Sequence, residues 1–125
     1  MVTILLVEDN IAIRENTVEL LEMEGYGVIT AVDGEDGFAK VVEHRPDLVV
    51  CDILMPEIDG LALLGKLGKY PDLKKIPLIL FSSKSQKSDI KDGMDAGAKD
   101  YIVKPADMTD LLSAIKRCLE NTGKV

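Results

Sequence analysis

The chain has 125 residues, the length of one ordinary domain with a single core. Hydrophobic residues make up 46% of it and aromatic residues only 4%, which predicts an aliphatic interior and no aromatic surface for stacking bases. The formal net charge of −7 argues against direct nucleic-acid binding, because that function requires clustered Lys and Arg.

Five short apolar runs alternate along the chain with stretches of helical period, a pattern typical of an α/β fold with a parallel sheet. We therefore expect five strands and five helices in one domain over residues 1–125, with no output domain in the chain. The predicted strands are Thr3–Val7, Tyr26–Ala31, Leu48–Cys51, Pro77–Phe81 and Asp100–Val103.

Turn and capping residues mark several predicted helix ends. Gly25 should end the first helix, and Asp33, Asp59 and Asp107 should be the N-caps of the second, third and fifth. The fourth helix is the weakest, because it has little apolar surface and contains Gly93, which costs about 1 kcal/mol relative to Ala. It is a candidate moving element, although an ordinary solvated helix explains the same pattern.

Charged and polar side chains follow four of the predicted strands. Glu8 and Asp9 follow the first strand, Asp52 the third, Ser82 the fourth and Lys104 the fifth. The carboxyl ends of parallel strands meet at one edge of the sheet, and ligands of such folds bind there. We therefore expect three carboxylates, a hydroxyl and an ammonium to converge at this edge.

Three carboxylates at close range require protons or a cation to neutralise them. Mg²⁺ is the predicted ion, because it prefers one or two carboxylates together with waters and phosphate oxygens. An aspartate can also act as a nucleophile and form an aspartyl-phosphate. Taken singly, however, these residues are explained as readily by a capping aspartate, a loop hydroxyl or a solvated lysine.

The complete set resembles the receiver domain of two-component response regulators, of the single-domain chemotaxis type. The resemblance extends from Val2 to about Leu119 and implies a flavodoxin-like sheet of strand order 2-1-3-4-5 with helices on both faces. The residues that support it are Glu8-Asp9, Asp52, Met55-Pro56, Asp59-Gly60, Ser82, Gly97 to Tyr101 and Lys104-Pro105.

This resemblance implies a phosphorylation switch, which catalyses only its own phosphorylation and dephosphorylation. Asp52 would accept a phosphoryl group from the phosphohistidine of a sensor histidine kinase or a histidine phosphotransfer protein. By the same analogy, Asp9 and Asp52 would bind Mg²⁺ directly, Glu8 would bind it through water, and the backbone carbonyl of Leu54 would complete the ligand set.

The resemblance also implies a route from the site to a partner. Ser82 and Lys104 would stabilise the phosphoryl oxygens, and Tyr101 would turn inward when Ser82 turns toward them. An unknown output protein would bind the surface of the fourth helix, fifth strand and fifth helix, on a monomer or a phosphorylation-dependent dimer. Pro105 is a candidate for a cis peptide bond.

Two positions are expected to set the lifetime of the phosphoryl group. Leu54, two residues after the acceptor, should shield it from water and prolong its lifetime. Lys84, two residues after Ser82, could either hold the phosphoryl oxygens or draw water toward them.

Two other functions are compatible with parts of this pattern. A haloacid-dehalogenase-type phosphatase also uses an Asp nucleophile, but it needs a second Asp where this chain has Leu54. A flavin-binding protein would need a loop rich in Ser, Thr and Gly after the first strand, where Glu8 and Asp9 would repel the flavin phosphate. The switch is therefore the favoured interpretation.

The remaining sequence features concern location. Cys51 and Cys118 lack metal-binding spacing, which predicts two buried thiols in a reducing compartment. No leader precedes Ile4, and no apolar run approaches the ~18 residues of a membrane span. We therefore expect a cytoplasmic protein that does not contact membranes.

Overall fold

A computed structural model describes residues 1–53, 59–104 and 108–123 of the chain. Within these residues, five parallel strands form one sheet in the order β2-β1-β3-β4-β5, as expected. The strands are β1 Thr3–Val7, β2 Gly27–Ala31, β3 Leu48–Cys51, β4 Leu78–Ser82 and β5 Asp100–Val103. The helices are α1 Ile11–Met23, α2 Gly34–His44, α3 Gly60–Leu67, α4 Pro71–Lys74, α5 Lys87–Asp95 and α6 Met108–Asn121.

The helix count differs from the prediction by one short element. Helix α4 has only four residues and buries one side chain, Leu73, so it has no amphipathic period for a sequence pattern to detect. Its only local signal is Pro71, a residue favoured in the first turn of a helix. The predicted fourth and fifth helices are therefore α5 and α6.

The predicted caps are confirmed where the structure describes them. The side chains of Asp33 and Asp59 accept hydrogen bonds from Asp36 N and Ala62 N, each at 2.8 Å. Gly25 follows α1 with φ of 91°, a left-handed conformation that suits glycine. The predicted cap Asp107 lies outside the described residues.

Helices cover both faces of the sheet and form two cores. One core packs α2, α3 and α5 against one face, and Cys51 belongs to it. The other packs α1 and α6 against the opposite face, and Cys118 belongs to it. Both thiols are buried, as expected, and the sheet separates them. Among the described helices, none has both the length and the apolar character to cross a membrane.

Two helix positions pack differently from what their sequence pattern indicates. Val42 follows Phe38 and Val41 at i, i+3, i+4 spacing, which predicts an inward stripe on α2, but it is 46% exposed. Gly93, interpreted only as a weak point of α5, is buried against the sheet. A Cβ atom at Gly93 would lie 2.6 Å from Leu80 Cδ1 and 3.0 Å from Tyr101 Cδ2. The absence of a side chain therefore allows α5 to approach β4 and β5 closely.

Candidate functional site

Strand pairing brings the predicted site residues to one edge of the sheet. The pairing of β1 with β3 continues past the strand ends, because Asp52 N donates to Val7 O at 3.2 Å. Glu8 N donates to Ala31 O at 3.0 Å, which fixes the start of the loop after β1. Lys104 N donates to the carbonyl of Ser82 at 2.8 Å and extends the pairing of β4 with β5.

Lys104 lies between two carboxylates at the centre of the site. Its Nζ is 2.5 Å from Glu8 Oε1 and 3.0 Å from Asp52 Oδ2. The exposed fractions of the three side chains are 12% for Lys104, 3% for Glu8 and 11% for Asp52. The ammonium also lies 4.9 Å from the ring centroid of Phe81. The charges are thus shielded from water and held by direct contacts.

Burial and pairing shift the pKa values of two of these groups. Burial raises the pKa of Glu8, and the hydrogen bond from Lys104 only partly offsets this. Burial alone would lower the pKa of Lys104, but its hydrogen bond to Glu8 and its attraction to Asp52 outweigh burial and raise it. Lys104 therefore stays protonated and positively charged, because its two carboxylate partners stabilise the ammonium.

The three carboxylates are close enough to hold a cation. One carboxylate oxygen from each of Glu8, Asp9 and Asp52 lies within 4.8 Å of the others. Asp9 is exposed to solvent and Asp52 is partly exposed, so an ion can reach both. Hard oxygen ligands at an open acidic edge suit Mg²⁺. The residues therefore fit this ion, while the predicted carbonyl ligand of Leu54 lies outside the described residues.

A cavity of about 610 Å³ opens above these groups. Ser83 lines it, whereas Ser82, which was predicted to face the acids, is fully buried at the end of β4. The lining residues are Glu8, Asp9, Asn10, Ile13, Asp52, Phe81, Ser83 and Lys104. Asp52 belongs to this lining, so the cavity connects its carboxylate to solvent.

Two residues of the β1–α1 segment support the acidic pair and were not predicted from the sequence. Asn10 caps α1, because its side chain accepts a hydrogen bond from Ile13 N at 3.0 Å. Arg14 Nη1 donates to the carbonyl of Glu8 at 2.9 Å and more weakly to that of Asp9 at 3.5 Å. Asn10 matches the N-cap preference and could have been found. No sequence pattern identifies Arg14, because its role depends on its side chain reaching back from α1 to the carbonyls of the β1–α1 loop.

The predicted switch residues meet at the backbone of Lys84. Its N–H donates to Ser82 Oγ at 3.2 Å, and its carbonyl accepts a hydrogen bond from Tyr101 Oη at 2.7 Å. The Tyr101 side chain is buried, 8% exposed, beneath α5. Lys84 Nζ lies 3.8 Å from Asp89 Oδ1, in the first turn of α5. Pro105, the predicted cis candidate, lies outside the described residues.

Comparison with known proteins identifies the family. A family model described as "Response regulator receiver domain" matches residues 4–116. The chain belongs to this family. The receiver domain from the signal transduction histidine kinase of Syntrophus aciditrophicus has a similar structure, with a TM-score of 0.91 and 36% identity over 100% of this chain and 95% of that one.

Two relatives with longer chains are also similar to this receiver. Response regulator ArlR of Staphylococcus aureus is 38% identical over 123 residues, covering 95% of this chain and 53% of ArlR. DNA-binding dual master transcriptional regulator RpaA of Synechocystis sp. is 34% identical over 125 residues, covering 100% of this chain and 52% of RpaA. The chain thus spans about half the length of these curated relatives.

Family membership establishes the coarse function. The chain is a receiver domain of two-component signalling, with the flavodoxin-like fold that was expected. Receiver domains belong to a regulatory family and are not classical enzymes.

Proposed function

We propose that this receiver is a phosphorylation switch in which Asp52 is the phosphoryl acceptor. The observation that supports the proposal most directly is the position of Asp52 at the end of β3, 3.0 Å from the ammonium of Lys104 and within a few ångströms of Asp9. A nucleophilic carboxylate, a fixed cation and an open acidic edge are the groups that phosphoryl transfer to aspartate needs.

In the proposed reaction, an oxygen of Asp52 forms a bond to the phosphorus of a phosphohistidine on a kinase or phosphotransfer protein. The phosphorus–nitrogen bond breaks, and the leaving imidazole keeps the electron pair and takes a proton from solvent. Lys104 stabilises the charge on the phosphoryl oxygens, because its ammonium already lies beside the acceptor. Mg²⁺, held by Asp9 and Asp52 with Glu8 outside its direct ligands, would neutralise charge on the same oxygens.

The proposed output surface consists of α5, β5 and α6. Its connection to the site is the Lys84 backbone, which contacts the hydroxyls of both Ser82 and Tyr101. A new charge at Asp52 that draws Ser82 toward the phosphoryl oxygens would change the N–H partner of Lys84 and then the position of Tyr101. We propose that an output protein binds this surface, with a monomer or a phosphorylation-dependent dimer as the binding species.

The relatives bear on what the switch controls. RpaA is named as a DNA-binding regulator, and the chain spans only 52% of it. We propose that this receiver does not itself bind nucleic acid, since its net charge is −7, and that any effect on DNA is indirect. We also propose that the protein is located in the cytoplasm and that residues 1–125 form a single domain.

The lifetime of the phosphoryl group stays a prediction. Leu54 would shield the acyl phosphate, and the ion pair of Lys84 with Asp89 supports a Lys84 ammonium held at the start of α5. No observation favours the phosphatase alternative, which lacks its second Asp at position 54.

The acceptor assignment is tested by incubation with acetyl phosphate and Mg²⁺, followed by intact mass spectrometry. We expect one added phosphate in the wild type, none in Asp52→Asn, and none when EDTA removes the metal. Asp72→Asn, which changes an exposed acid on α4, is the matched control and should be labelled like the wild type. Undiminished labelling of Asp52→Asn would refute the assignment.

A further inference from the structure

The chain contains two phenylalanines, and each lies beneath a lysine ammonium. Lys104 Nζ lies 4.9 Å from the ring centroid of Phe81, and Lys66 Nζ lies 4.2 Å from that of Phe38. Both distances are within the range at which the negative face of an aromatic ring attracts a cation. Phe81 lines the cavity above Asp52, whereas Phe38 belongs to α2 and does not line that cavity. Of the two pairs, only the Phe81 pair therefore belongs to the site.

The sheet places Phe81 beside Lys104. Phe81 is the penultimate residue of β4, and its partner in register is Ile102 on β5, two residues before Lys104. The residue is 5% exposed and packs in the core beneath α1 and α6, which fixes the ring at the cavity wall. Core packing requires an apolar side chain of about this volume, and aliphatic side chains meet that requirement as well. The aromatic face under the ammonium is a property beyond packing.

The ring attracts the ammonium in a way that differs from the two carboxylates around it. Lys104 donates hydrogen bonds to Glu8 at 2.5 Å and to Asp52 at 3.0 Å, and each bond occupies one N–H. Phosphoryl transfer would convert the Asp52 carboxylate to an acyl phosphate, so the N–H that it binds must turn toward the phosphoryl oxygens. The attraction of the ring face depends on charge and not on the direction of an N–H, so it continues while the ammonium turns. The Lys104 side chain is only 12% exposed, so water weakens this attraction little.

We propose that Phe81 is a positioning residue for Lys104. The face of its ring holds the ammonium at the cavity wall while a hydrogen bond of the ammonium passes from Asp52 to the phosphoryl oxygens. The ring takes no part in the making or breaking of bonds. This role rests on the proposed function, since it serves the same phosphoryl transfer. Core packing alone predicts no dependence of that transfer on the charge distribution of the ring.

The first test replaces Phe81, by site-specific incorporation, with phenylalanine that carries one, two or three fluorines on its ring. Fluorine withdraws charge from the ring face and changes the size of the ring little, so the attraction weakens while the packing is kept. We expect the rate of labelling by acetyl phosphate at saturating Mg²⁺ to fall with each fluorine, to about one-third to one-tenth of the wild-type rate with three. A rate that is independent of the number of fluorines would overturn the proposal.

Two control series show whether the effect passes through Lys104. In the Lys104→Met background no ammonium lies over the ring, so the same replacements of Phe81 should change the remaining labelling rate by less than about twofold. At Phe38, which lies under Lys66, they should also leave the rate within about twofold of the wild type. An equal loss of rate in either control series would contradict the proposed role.

A measurement on the unphosphorylated protein separates this role from the proposed function. Protons over the face of an aromatic ring are shifted upfield in NMR spectra, so the Hε signals of Lys104 should lie upfield of those of the exposed Lys116. This displacement should disappear in Phe81→Leu and shrink with each fluorine as the ammonium leaves the ring face. Undisplaced signals in the wild type would refute the contact. Failure to label Asp52 would instead refute the proposed function and leave this test intact.

Urea unfolding of each variant separates a local effect from a loss of folding. The fluorinated variants keep the shape of the ring and should unfold at about the same urea concentration as the wild type. Labelling rates and NMR shifts are then compared among the folded variants.

Discussion

The backbone of Lys84 is one contact between the buried hydroxyl at the site and the aromatic residue of the output surface. Ser82 Oγ accepts a hydrogen bond from its N–H, and Tyr101 Oη donates one to its carbonyl. The side chains of Ser82 and Tyr101 also interact directly, so a shift of Ser82 reaches Tyr101 by both contacts. Burial raises the pKa of the Tyr101 phenol, so the hydroxyl keeps the proton with which it donates this bond.

The hydroxyl of Tyr101 should contribute measurably to stability. Tyr101→Phe keeps the ring but removes the donor to the Lys84 carbonyl, so we expect a loss of about 0.5–1.5 kcal/mol in the free energy of unfolding, measured with urea. Tyr70, which is 48% exposed, is the matched control, and Tyr70→Phe should change stability by less than about 0.5 kcal/mol. Equal effects of the two substitutions would show that the hydrogen bond does not contribute.

The sequence predicted that four charged residues would converge at one edge of the sheet but not how they pair. Glu8, Asp9, Asp52 and Lys104 could be placed together because strand-end position depends only on sheet topology. The contact of Lys104 with both Glu8 and Asp52 depends on side-chain length and burial, which no spacing along the chain reports.

At the scale of elements, α5 owes its position to a missing side chain. Gly93 lies against Leu80 and Tyr101, where a Cβ atom would be too close to both. Sequence reasoning identified the cost of glycine in a helix, which is a local property. It could not identify the close approach of helix to sheet, which is tertiary. The strands were predictable because they are continuous apolar runs, whereas α4 was missed because it has only four residues.

Gly93→Ala should therefore destabilise the protein despite its better helix propensity. The added methyl would meet Leu80 Cδ1 at 2.6 Å, and overpacking of this kind costs about 1–3 kcal/mol against a propensity gain of about 1 kcal/mol. At Gly65, in α3, an added methyl would have no neighbouring atom within 4 Å, so Gly65→Ala should stabilise by about 0.5–1 kcal/mol. Thermal unfolding of both variants checks the opposite signs, and stabilisation by Gly93→Ala would contradict the packing argument.

For the whole molecule, the proposed switch requires that a local charge change alters a distant surface. An acyl phosphate carries about −1.5 to −2 charge, judging by other phosphorylated side chains, and replaces the single negative charge of the Asp52 carboxylate. The chain, whose net charge is already −7, thus gains about −0.5 to −1 at the site. A partner can prolong this state only if it binds it better than the unmodified state, and the coupling is then reciprocal. Helix α5 is suited to move, because Lys87 and Ser88 at its start are exposed and its one fully buried residue, Gly93, has no side chain.

Hydrogen exchange with and without beryllofluoride, a mimic of the phosphoryl group, tests this coupling across the chain. In the presence of Mg²⁺ we expect altered exchange at the site, in 8–11 and 52–60, and also in 84–104, because Lys84 joins Ser82 to Tyr101 and α5 packs on both strands. Asp52→Asn, which lacks the nucleophile that the mimic modifies, should show neither change. Exchange that changes at the site while 84–104 stays silent would refute the route through Lys84 and leave Asp52 as an acceptor whose signal leaves by another surface.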